Sequence, residues 1–477
     1  MRISGIAAGL AGFLLAALGV AAPPPPPLDR LEADFRGRVE SLAGRAAAGG
    51  HDDLTAFIRG WPLPAEGDRQ LVLAIPSRLE TPAFVDAADK TALWNEFVAA
   101  RRTHAEAVFA HVAHVPPCAA IRLLHRVLRD DPEHARAREL AGWVKVKDGW
   151  AWPEAKRQRD RGADFDPQFG WLPSGRLGRY RAGERYDRGR WITAAEDLAR
   201  MLAIADGRRF VSDHWEITST APLEAAAEVA AALEETHAIW RQIFGPLALS
   251  PRDRRLGVRP PRAALEPFIA ILCADRRQYL AELEPLEPAI GMTEGIYWAP
   301  TRTLWLVAAA LHTDAAANAA FRATIRHEAT HQLCAESRPT SPLAGERCGF
   351  WAIEAAACYL ESARPAACGW TVGGPDAGRM PAARAAVVEQ EFHMPLAELT
   401  ALGRAGFQAH PQLGTLYAEL AGLADFFMNG ETGRHREAFV AYLARVYDGT
   451  ADPDTLARLC DTSYADLDAA YRRHVSR

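Results

Sequence analysis

One carboxylate inside an otherwise apolar segment constrains this chain more than any other feature. Residues 350-FWAIEAAACYLES-362 read as a helix, and Glu354 interrupts its apolar run near the start. A carboxylate on such a face is costly unless it is paired or bound to a metal. If the helix instead turns one side to solvent, Glu354 shares that side with Glu361, seven residues on.

A partner for a buried acid lies 23 residues upstream, in 325-IRHEATHQLC-334. His327 and His331 are one helical turn apart, so both imidazoles project from the same face. That spacing lets a zinc ion take two nitrogens from one rigid element. Glu328, beside the first histidine, can reach a water on the metal rather than the metal itself. There it would act as a general base and then pass the proton to a leaving amine. The pattern is short enough to arise by chance, so a third ligand is required. A histidine six residues after His331, preceded by a glycine at the third, would serve, but Cys334 and Ser337 occupy those positions. Glu354 on the following helix is the other solution, which gives His327, His331 and Glu354 as ligands to Zn2+.

The two helices together, HEATHQL and WAIEAAACYLE, resemble the gluzincins, zinc peptidases that use H-E-x-x-H and a downstream glutamate. More narrowly, they are similar to a group of exported bacterial gluzincin-like domains whose second motif reads W-x-x-E-G-x-A-x-Y-x-E. Trp351, Glu354, Ala357, Tyr359 and Glu361 match it, Ala355 replaces the glycine, and Cys358 stands where an acidic residue is common. In the gluzincins that acid orients a histidine ligand, so position 358 departs where the support of the metal is concerned. The resemblance spans roughly residues 209–475. It implies an α+β, zincin-like peptidase domain, with a mixed sheet packed on the active-site helix and a helical C-terminal lobe. It also implies that the edge strand before that helix binds extended peptide, with 303–309 as the candidate. A donor for the developing oxyanion is expected too: Tyr417, in 415-TLYAELAGLADFFMNG-430, with His393 and His410 as competitors.

The remaining sequence sets the context. Arg2 precedes an apolar stretch, residues 3–22, that ends in small residues before the prolines 23–27. That order describes an export signal, with cleavage after Ala21 or Ala22 or retention as a membrane anchor both open. Export implies a periplasmic or secreted protein. After a Pro-rich linker at 23–28, residues 29–205 read as a mainly helical N-terminal domain. Within it 119–143 resembles a tetratricopeptide-type hairpin, and Trp150, Trp152, Trp171 and Trp191 fall in a loop-rich connector. The Arg-rich runs 157–162 and 251–262 read as solvated linkers. Near 208 the pattern turns to strands, with 209–220, 266–274, 294–299 and 303–311 strand-bearing and a long helix over 222–244. Thr313 or Asp314 is the expected cap of the H-E-x-x-H helix. From 349 the pattern is helical to the C-terminus, so residues 206–477 form the expected peptidase domain.

A net charge of −5 gives no basic field to point toward nucleic acid. The expected partner is a peptide or protein substrate, with membrane contact only through an uncleaved N-terminal segment. Seven cysteines without C-x-x-C spacing argue against a structural zinc cluster, although Cys334, Cys348, Cys358 and Cys368 lie close enough in sequence for some to pair. Two other classes stay open on the residues alone. One is a zincin-fold protein that binds metal or peptide without turnover, suggested by Cys358 and opposed by the intact Glu328. The other is a helical scaffold in which the histidine pair is incidental.

Overall fold

The computed structural model describes residues 26–63, 67–248, 267–308 and 315–477, so the expected export segment and the Thr313 or Asp314 cap lie outside the described residues. The described chain forms two compact units: 26–63 with 80–115, and 67–79 with 116–477. The boundary therefore falls near residue 115 rather than 205. Residues 116–205, with the tetratricopeptide-like pair, group with the C-terminal part.

The smaller unit contains helices α1 (Leu28–Ala48), α2 (Asp52–Arg59) and α3 (Ala88–Phe109). Its centre is aromatic: Phe57 contacts Trp61, Trp94 and Phe97, and the Arg101 guanidinium lies 3.7 Å over the Trp61 ring.

The larger unit begins with strand β1 (Gln70–Leu73), then α4 (Pro117–Asp130) and α5 (Ala135–Leu140). Three copies of one small motif follow where a loop-rich connector was expected. The first is β2 (Val144–Val146), β3 (Gly149–Ala151) and α6 (Pro153–Asp160). The second is β4 (Ala163–Asp166), β5 (Gly170–Pro173) and α7 (Leu177–Arg181). The third is β6 (Glu184–Asp187), β7 (Arg190–Thr193) and α8 (Ala194–Arg200). Trp150, Trp171 and Trp191 hold equivalent places in the three hairpins. Arg159 of α6 lies over Trp171, and Arg179 of α7 lies over Trp191, so each helix caps the next hairpin. The run 157–162 is thus largely helical and in use, and it is not a linker.

The main sheet is built from β8 (Arg208–Val211), β9 (Trp215–Ser219), β10 (Phe268–Cys273), β11 (Gly295–Trp298) and β12 (Thr303–Val307). Its order is β11-β12-β10-β9-β8. The three inner strands run parallel, and the two outer ones are antiparallel to their neighbours. Alternation along the strands separates two faces. Trp215, Ile217, Ala270, Leu272, Leu304 and Leu306 join the main core, beneath α9 (Leu223–Ile243) and α11 (Ala315–Glu336). Cys273 and Val307 join a smaller core with Tyr279 and Leu283 of α10 (Arg276–Leu283).

Helix α12 (Phe350–Glu361) is buried on every side from Phe350 to Leu360. Gly349, at φ +73°, starts it in a left-handed turn, where a Cβ would sit 2.7 Å from the Tyr442 hydroxyl. The sequence pattern gave no warning of the hairpin that comes next, β13 (Arg364–Ala366) and β14 (Gly369–Val372), which pairs with β1 to make a three-stranded sheet. The helical lobe is completed by α13 (Met380–Val388), α14 (Leu396–Ala401), α15 (Arg404–Gln408), α16 (Leu413–Gly433), α17 (Arg436–Tyr447), α18 (Thr455–Cys460) and α19 (Tyr464–Val475). The end of α16 breaks at Gly430–Thr432. All seven cysteines are free thiols. No described helix is long and apolar enough to cross a membrane. The architecture is α+β.

Candidate metal centre

Helix α11 is locked in rotation before its histidines are considered. Phe321, Ile325, Ala329 and Leu333 bury one face against the core. Gln332 then pins the helix to the sheet: its Oε1 accepts the Trp215 indole N–H at 3.0 Å, and its Nε2 donates to the Ile269 carbonyl at 3.0 Å. Arg326 reaches Glu235 of α9 at 2.8 Å. With these faces committed, His327 and His331 meet α12, their ring centroids 4.8 Å apart.

Glu354 is 7% exposed and faces both histidines, so the solvent-facing alternative does not hold. Its Oε2 lies 3.4 Å from His327 Nε2 and 3.7 Å from His331 Nε2. A tetrahedral ion with bonds of about 2.0–2.1 Å sets neighbouring ligands roughly 3.3–3.4 Å apart. The first separation matches that edge and the second exceeds it by about 0.3 Å, and two imidazoles with one carboxylate are a donor set suited to a small divalent cation.

Electrostatics agree with that fit. Burial, assisted by His327 and Arg404, pushes His331 down to about 4 despite Glu354, which leaves a neutral imidazole with a free lone pair. Burial alone would raise Glu354, but His331, His327 and the Tyr417 hydroxyl outweigh it and hold the carboxyl at about 2. His327 is opposite in sign: burial lowers it, and hydrogen bonds that its ring makes to Cys358, Glu354 and Glu361 raise it further than burial lowers it. A cation here would have to displace a proton from His327.

The support expected at position 358 comes from one turn further along. Glu361 Oε1 is 2.7 Å from His327 Nδ1, which makes Nδ1 the donor and leaves Nε2 facing Glu354. Arg379 holds both oxygens of Glu361, at 2.8 and 3.0 Å. His327, Cys358 and Glu361 also lie close enough to share an ion, but the guanidinium on Glu361 repels a cation on that side. The sequence carried a trace of this role, since the seven-residue interval returns Glu361 to the side of Glu354. Nothing in the sequence marked Arg379.

Glu328 Oε2 accepts the backbone N–H of Tyr297 at 2.8 Å. Burial, with Glu354 and Glu361, raises its carboxyl to about 7 against the pull of His327 and that N–H. Tyr297 belongs to β11, and β11 is the edge of the described sheet. The expected edge, 303–309, is not: its strand β12 lies between β10 and β11, because the β11–β12 hairpin folds 295–298 to the outside.

The structure brings Tyr417 to the site, where its hydroxyl is hydrogen-bonded to Glu354. The two histidine competitors are engaged otherwise. His393 lies between Glu419, at 2.6 Å, and Asp468, at 3.1 Å. His410 Nδ1 accepts the Gln412 N–H at 3.2 Å.

Comparison of the chain with protein-family models, with curated proteins and with solved structures finds no match.

Proposed function

We propose that this protein is an exported zinc metallopeptidase with a zincin-like catalytic domain. The observation that carries the reading is the convergence of His327 Nε2 and His331 Nε2 on Glu354 Oε2, at 3.4 and 3.7 Å, with Glu328 anchored beside them. Bound by these three residues, zinc would polarise a peptide carbonyl and acidify a water.

The rest of the chemistry falls to the chain. The Tyr297 N–H fixes one oxygen of Glu328 and leaves the other to take a proton from the water and deliver it to the leaving amine nitrogen. A carboxyl raised to about 7 by burial returns that proton readily, and a nearby cation would draw its value down. The Tyr417 hydroxyl is the donor for the oxyanion. Strand β11, at the sheet edge beside Glu328, aligns an extended peptide by β-augmentation.

Zinc content and cleavage of a broad peptide library by the purified full-length chain test this reading. Stoichiometric zinc is expected at this site, lost in Glu354→Ala. Glu328→Gln should keep the zinc and lose cleavage by about 10²–10⁴-fold. Chelator-insensitive cleavage, or full activity in Glu328→Gln, would overturn the mechanism.

A further inference from the structure

A second cluster of metal-ligating side chains lies where the hairpin repeats meet the main sheet. His214 sits in the turn between β8 and β9, and Glu234 and His237 are one helical turn apart on α9. One ligand atom from each residue can be chosen so that all three lie within 4.8 Å of one another.

We propose that His214, Glu234 and His237 form a second site for a divalent transition metal of the zinc class, structural in role and separate from His327, His331 and Glu354. His237 is the residue that demands it. It is 6% exposed, and neither ring nitrogen has a hydrogen-bond partner among the described residues. Its imidazole lies on that of His214 with centroids 3.7 Å apart and planes tilted by 33°.

Glu234 is already oriented toward the cluster. One oxygen accepts the Ser212 hydroxyl at 2.6 Å and the His214 N–H at 2.8 Å, and the other lies 2.6 Å from His214 Nδ1. A metal there would displace the proton shared by His214 and Glu234 and recruit the unpartnered His237. Trp152, from the first hairpin repeat, packs edge-on against both histidines, at 4.8 and 5.7 Å. Asp213, next in the chain, donates nothing to the set: it accepts the Trp171 indole N–H of the second repeat at 3.1 Å. A metal here would tie the β8–β9 turn to α9 directly beneath the repeat module.

The test uses the full-length chain with zinc as the probe. Wild type should retain two equivalents after dialysis, His237→Gln one, and the His327→Ala/His331→Ala double variant one. In that double variant, zinc at about a hundredfold its dissociation constant should raise Tm by roughly 3 °C, and adding His237→Gln should abolish the rise. Unchanged metal content in His237→Gln, or no zinc-dependent shift in the double variant, would overturn the second site. Loss of metal from the first site alone leaves the double-variant result intact, so the two assignments fail separately.

Discussion

Glu361 decides how His327 can serve as a ligand. An imidazole bound through Nε2 must carry its proton on Nδ1, and Glu361 accepts that proton's hydrogen bond at 2.7 Å while Arg379 neutralises the carboxylate. Glu361→Ala should therefore weaken metal affinity at the His327 site by about 10–100-fold, read by competition against a chelator, with the metal-free Tm little changed. Arg379→Gln should act in the same direction with smaller effect, since it leaves the acceptor in place. An affinity unaltered by Glu361→Ala would mean that Cys358, or the helix alone, orients the ring. That His327, His331 and Glu354 come together was legible in sequence, because one turn of helix and one buried charge are local patterns. Glu361 was half legible, on Glu354's side of the helix but without a stated task. The Tyr297 N–H was not, because a backbone donor has no side-chain signature.

Elements defined by local periodicity were readable, and those defined by distant pairing were not. The β8–β9 strands, β10 and the β11–β12 hairpin match the alternation and turn signals of their own segments. Which strand lies at the edge depends on partners across the sheet, and there the reading failed for 303–309. The hairpin repeats were missed because each strand is only three or four residues long, although Trp150, Trp171 and Trp191 recur at intervals of 21 and 20 residues. Strand β14 was missed because its partner, β1, is about 300 residues away in sequence. That pairing rests on one glycine. Gly369 opposes Leu73 at φ +144°, and a Cβ there would meet the Val72 carbonyl oxygen at 2.1 Å. Gly369→Val should destabilise the larger unit by about 2–4 kcal/mol, measured as a lower urea midpoint. A neutral result would show that β1 does not pair with β14 in solution.

Across the whole helical lobe, one histidine makes stability depend on pH. His393 lies between α13 and α14, with Glu419 of α16 and Asp468 of α19 on its two nitrogens. Glu419 also accepts the Met394 N–H, and Asp468 the Leu396 N–H, so the charges hold three parts of the lobe together. Burial lowers His393, but Asp468 and Glu419 overcome it and raise the imidazole to about 9. The unfolded value is about 6.5, so the folded state binds the proton more tightly. The resulting stability is fully present below pH ~6.5 and is lost as pH rises through about 9. A shift of this size corresponds to on the order of 3 kcal/mol. Wild-type Tm should therefore fall between pH 6.5 and 9.5. His393→Gln should unfold at lower temperature throughout, because Glu419 stays buried without its cation, yet its Tm should change less over the same range. Equal slopes in the two proteins would place the pH dependence on another group and leave His393 as a packing residue.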